Sequence, residues 1–153
     1  MPGRRAKAKC PATHVVPFYT YMRAHDLPAV FMSGFLAVFF LHAGLDKILD
    51  RKGNVMRYRV SFDQTPMRKP TGLWLVLLTI GEMLTGVVLA AGALALFLMR
   101  QPGMAFAGTV LGALTLLVFF AGLRLGRDQQ GAAATVPYFV TCVVAMVLLG
   151  QRG

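Results

Sequence analysis

Acidic residues are scarce in this chain. Six Asp and Glu stand against sixteen Lys and Arg, and charged residues make up only 14% of the 153 positions. A soluble domain usually carries about a quarter, so the deficit excludes an ordinary water-facing surface. Cysteine is equally sparse. Cys10 lies in a basic N-terminal segment and Cys142 in the last apolar run, with no CxxC pair, which excludes a disulfide framework or a dithiol redox motif. Cys142 reads as a small packing residue. Of three histidines only His42 falls in an apolar run, while His14 and His25 precede all of them. One histidine cannot give bis-His haem ligation within the bundle, and a site of three or four metal ligands has little support there. Neither a GxSxG elbow nor a phosphate-binding loop occurs, and Ser33 and Cys142 have no base in a recognisable motif. No metal, no resident cofactor and no catalytic activity of its own are expected.

Apolar residues, by contrast, reach 56%, with a mean hydropathy of +0.60. They gather in four long runs, which places the chain in the integral membrane class. The net charge of +10 would point a soluble protein towards nucleic acid. Here the basic residues occupy the ends and connections of greasy runs, where they set topology and meet anionic lipid headgroups. No nucleic-acid-reading motif accompanies them.

The pattern predicts an all-α fold: a four-helix transmembrane domain over 28–150, with helices at about 28–49, 73–99, 104–123 and 132–150. Segment 1–27 precedes it as a basic, aromatic extension. Pro2, Pro11 and Pro17 argue against a cleaved presequence. Phe18, Tyr19 and Tyr21 beside Arg23 are suited to anchoring the extension at the membrane interface or on a partner, as is Trp74 at the start of the second helix. Residues 50–72 form one long polar connection, in which VMRYRVSF (55–62) alternates like a short strand or an amphipathic segment on headgroups. Gly44, Gly81, Gly86, Gly108 and Gly112 supply small surfaces for close helix packing. Short later connections make the helices antiparallel neighbours. Weighting charges near the spans places the 50–72 connection on the cytoplasmic or matrix-like side.

Candidate chemistry concentrates in Phe35–Asp50. His42 and Asp46 are four apart and share a helix face, and Lys47 follows. Antiparallel threading brings Glu82 to a similar depth, with Arg124 and Tyr138 at the neighbouring helix ends. Ionisable groups at membrane depth are costly and seldom accidental. Two readings of His42, Asp46, Lys47, Glu82, Arg124 and Tyr138 stand. One is an ionic staple between helices. The other is a polar pocket for a quinone ring, a proton or a bound lipid headgroup.

FLHAGLDKILD (40–50) and GEMLTGVVLAAG (81–92) resemble the DoxX-like family of small four-helix membrane proteins. The match lies in Gly44 and Lys47 of the first helix and in Glu82, Gly86 and Gly92 of the second. The long basic connection and the N-terminal extension go beyond that family's minimal pattern. The resemblance implies a neighbourhood of quinone-linked membrane redox proteins without implying that this chain is an enzyme. Three functions are therefore expected, in order: a non-catalytic accessory subunit of a larger, respiratory or redox-linked membrane complex; a redox-associated protein with a quinone- or proton-handling pocket; and a membrane assembly factor. The expected location is a bacterial inner membrane or an organellar inner membrane, among lipid and other membrane subunits.

Overall fold

A computed structural model describes residues 26–61 and 71–151. They form five helices in the order α1 (Asp26–Leu49), α2 (Arg51–Ser61), α3 (Thr71–Met99), α4 (Gly103–Leu125) and α5 (Gln129–Gly150). All but α2 are long and apolar enough to cross a bilayer. At ~1.5 Å per residue even the 22-residue α5 reaches about 33 Å, the thickness of a hydrocarbon core. The protein is an all-α, multi-pass membrane bundle. Phe18, Tyr19, Tyr21 and Arg23 lie outside the described residues.

The spanning helices pack in the cyclic order α1–α3–α4–α5, and the seam that closes α5 back onto α1 is the loosest of the four. Around the ring, large apolar side chains such as Phe31, Val38, Leu77 and Leu98 face outward. In lipid that exposure carries no hydrophobic cost, so close packing and interhelical hydrogen bonds must hold the helices together. The glycines provide the approach. A Cβ on Gly92 of α3 would lie 2.6 Å from both the Cα and the N of Ala105 on α4, so backbone meets backbone there. Gly86 similarly admits Leu41 of α1, Gly44 admits Met83, Gly108 admits Leu89, and Gly112 admits Phe40. Gly81 is looser, its nearest neighbour being Thr115 at 3.4 Å. Thr85 and Thr115 then join α3 to α4 through a hydroxyl pair at 3.3 Å. Because Thr115 already donates to the Leu111 carbonyl, Thr85 is the donor between them.

Inside the ring the core is layered. Ala29, Leu96, Ala105 and Leu149 fill the end next to the α3–α4 turn. Leu36, Phe40, Leu89, Leu116, Cys142 and Ala145 fill the middle. The remaining end, over which α2 folds, is polar.

The polar connection contains the main difference from the sequence pattern. Residues 51–61 form the helix α2, so the strand reading of the alternating segment fails, while an amphipathic segment on headgroups is compatible with it. A lone strand pairs none of its backbone N–H and C=O groups within itself and leaves them to water and headgroups, whereas a helix satisfies its own. Asp50 starts it, its Oδ1 accepting the Gly53 N–H at 3.1 Å, the usual manner of an N-cap. α5 also begins earlier than its apolar run, because Asp128 caps it through the Gly131 N–H at 2.9 Å.

Candidate functional site at the polar end of the bundle

At 100° per residue, the buried positions of α1 form one stripe: Ala29, Ser33, Leu36, Ala37, Phe40, Gly44 and Lys47. His42 and Asp46 lie about 200° and 240° round from Phe40 on the same wheel. They do share a face, but it is the exposed outer one. The expected grouping of His42, Asp46 and Lys47 is thus divided by helical geometry, and Lys47 alone turns inward.

There it meets Glu82. Lys47 Nζ donates to both Oε1 and Oε2 of the Glu82 carboxylate at 2.8 Å, and to the Ala43 carbonyl at 3.3 Å. Both side chains are less than a tenth exposed. The ammonium also stands 5.6 Å from the centre of the Phe119 ring, within cation–π range. Every proton of the lysine has a partner, as a charge held at this depth requires.

The pair does not sit in packed protein. It borders a partly open cavity of about 240 Å³ lined by residues of all five helices. Phe39, Ala43 and Lys47 form one wall along α1. Gly131, Ala134, Thr135 and Tyr138 form the facing wall along α5, so the space follows the loose α1–α5 seam. Glu82, Leu116, Phe119 and Leu123 close the back, with Arg57, Tyr58 and Asp128 at the α2 end. Phe39 and Tyr138 stack across the seam, centroids 4.0 Å apart and planes 19° apart. On the far side Tyr58, Trp74 and Phe119 form an aromatic cluster with centroid separations of 6.0–6.5 Å. Trp74 rests against Gly122, so this expected interface anchor also packs α3 on α4. Burial, and then the Glu82 charge, pushes the Tyr58 phenol above its ordinary value of 10.0, so it remains a hydrogen-bond donor at neutral pH. A second hollow of about 250 Å³, lined by Phe120, Val136 and Phe139 among others, adjoins the first and shares Leu116 and Thr135 with it.

No family model, curated protein or solved structure is matched by this chain.

Of the six residues expected to cluster, Lys47, Glu82 and Tyr138 line one cavity. Arg124 is exposed and lies over the Phe120 ring at 5.9 Å, beside the second hollow. His42 and Asp46 are outside. Tyr58, Arg57 and Asp128 belong to the cavity without having been expected. Asp128 carries a legible signal, since an Asp ahead of an apolar run marks a helix start. Tyr58 and Arg57 are placed by α2, which the alternating pattern concealed. Among the described residues no group of three His, Cys, Asp or Glu is arranged to hold a metal ion.

Proposed function

We propose that this protein binds the ring headgroup of a lipophilic, quinone-type molecule at the polar end of its bundle. The observation that carries the reading is the open space beside the buried Lys47–Glu82 pair. An ion pair that served only to fasten α1 to α3 needs good geometry and satisfied hydrogen bonds, and no shaped space lined by aromatic rings beside it. This one faces a cavity that also receives two phenols. Drug-sized ligands occupy roughly 300–1,000 Å³; a cavity of about 240 Å³ suits a single ring. The stacked and edge-on aromatics offer faces for such a ring, and Tyr58 offers a proton to a ring carbonyl. The adjoining apolar hollow suits the start of an isoprenoid or alkyl tail leaving between α4 and α5. The resemblance of 40–50 and 81–92 to DoxX-like proteins agrees with a quinone neighbourhood, as does a bacterial or organellar inner membrane.

The test uses Trp74, the sole tryptophan, which packs on the cavity-lining Phe119 and Tyr58. Decylubiquinone is titrated into protein reconstituted in lipid nanodiscs while Trp74 emission is followed. Saturable quenching is expected, and it should vanish in a Lys47→Met/Glu82→Leu variant that keeps its helix content. Quenching that never saturates, or that persists unchanged in the double variant, means simple partitioning and ends the proposal.

One observation favours a second reading, an accessory subunit in a larger membrane complex. His42 and Asp46 face outward two turns and one turn inside the end of α1. Polar groups presented there are costly against lipid and are suited to a partner helix bearing complementary groups. Crosslinking through a photoreactive residue at position 42 in native membranes should capture a membrane subunit; capture of lipid alone counts against it.

A further inference from the structure

The largest hollow described lies outside the bundle, a groove of about 580 Å³ on the outer side of α3 bounded by α1 and α2. Its floor follows α3 from Gly72 to Val87, about 22 Å at the helical rise. That is close to one leaflet with its headgroup region, half of a ~40–45 Å bilayer. Ile80, Leu84 and Val87 along it are each more than half exposed, so the groove opens sideways to lipid.

The end beside α2 has a different character. Arg51 and Val55 belong both to the groove and to an adjoining hollow of about 430 Å³, which Lys52 and Arg59 also line. α2 carries four basic residues and no acid. Among the described residues the nearby carboxylates are engaged or turned elsewhere: Asp50 caps α2 through the Gly53 N–H, Glu82 is held by Lys47, Asp128 caps α5 through the Gly131 N–H, and Asp46 is on the outer face of α1. An apolar trough one leaflet deep, ending in a concentration of positive charge, matches one class of molecule in shape and in sign. We propose that it binds an anionic glycerophospholipid of the surrounding leaflet, with an acyl chain along α3 and the phosphate on Arg51 and Arg59. A zwitterionic lipid fills the same trough, but its own cation competes at the basic end, so net charge is what the site discriminates.

Native mass spectrometry from mild detergent tests this, with phosphatidylglycerol and phosphatidylcholine of identical chains titrated separately. The full chain should retain one phosphatidylglycerol at about tenfold lower concentration than phosphatidylcholine, and added salt should erode the difference. Arg51→Gln/Arg59→Gln, on an exposed helix where folding is not at stake, should bring the two lipids to equal retention. Gly72→Phe fills the mouth of the trough, where a Cβ meets nothing within 4 Å, and should weaken both lipids together. Equal retention by the unmodified protein overturns the proposal, as does a preference that survives the double substitution. A Gly72→Phe variant that binds both lipids normally overturns the acyl-chain trough. Saturable quenching of Trp74 by decylubiquinone should be unchanged in Arg51→Gln/Arg59→Gln, which separates this site from the ring-headgroup cavity.

Discussion

Replacing Lys47 by Met leaves the Glu82 carboxylate buried with no cation, a loss expected to cost about 3–5 kcal/mol. Removing both partners, as Lys47→Met/Glu82→Leu, should recover most of that stability, because two desolvated charges are replaced by apolar volume. Unfolding in mixed micelles measures both; a double variant as unstable as the single one contradicts the pairing account. The same double variant removes the polar wall of the cavity, so restored stability with lost ligand binding separates a site from a staple. Tyr58 provides a pH signature. Its folded-state value is raised by burial and then by Glu82, so above about pH 10 the unfolded chain gives up its proton first. The stability associated with Tyr58 is therefore complete below pH 10 and falls as pH rises towards the higher folded value. Tyr58→Phe should flatten that part of the alkaline melting profile. An identical alkaline loss in the variant would assign it to other groups.

At the scale of the element, packing in this bundle depends on where glycine stands. Gly92 allows α3 to lie against the Ala105 backbone, so Gly92→Ala must push two backbones apart, with an expected loss of about 1–3 kcal/mol. Gly34 on α1 provides the contrast: a Cβ there meets nothing within 4 Å. Gly34→Ala should be neutral or gain about 0.5–1 kcal/mol from helix propensity. Thermal unfolding of the pair in one detergent checks both, and equal behaviour would refute the contact assignment. α2 behaves differently from the spans. Only Asn54, Val55 and Tyr58 among its described side chains are partly covered, and Asn54 binds back to the Asp50 carbonyl at 2.9 Å. The helix is held by its cap, by that return bond and by the Tyr58 ring against Trp74 and Phe119.

For the whole molecule, the described basic residues close to span ends gather where α2 lies. Arg51, Lys52, Arg57, Arg59, Arg124 and Arg127 are there, and Arg100 is at the opposite turn. The charge rule for short loops then predicts the α2 end on the cytoplasmic or matrix side. In a Cys10→Ser/Cys142→Ala background, a cysteine at Lys52 should resist a membrane-impermeant maleimide in intact cells or right-side-out vesicles, while one at Gln101 should label. The reverse pattern inverts the topology. In this orientation the cavity, the basic hollow and the mouth of the outer groove all open at the same face.

The four spans were legible in the sequence because each is a long apolar run ended by Pro, Gly or charge, and in lipid such a run has only the helix to satisfy its backbone. Antiparallel threading matched the depth of Glu82 to that of His42 and left Lys47 or Arg124 as its ionic partner; the inward direction of Lys47 is implicit in the stripe it shares with Leu36 and Phe40. That same stripe turns His42 and Asp46 outward, which a four-residue spacing cannot reveal: it fixes that two residues share a face, not which face the neighbours cover. Only the tertiary structure decided that α1 and α5 close loosely and leave space beside the ion pair. Helix separation depends on which small residues meet across each interface, a property of pairs and not of any single segment. It likewise decided that α2 folds over that space, bringing Tyr58 and Arg57 to residues far away in the chain.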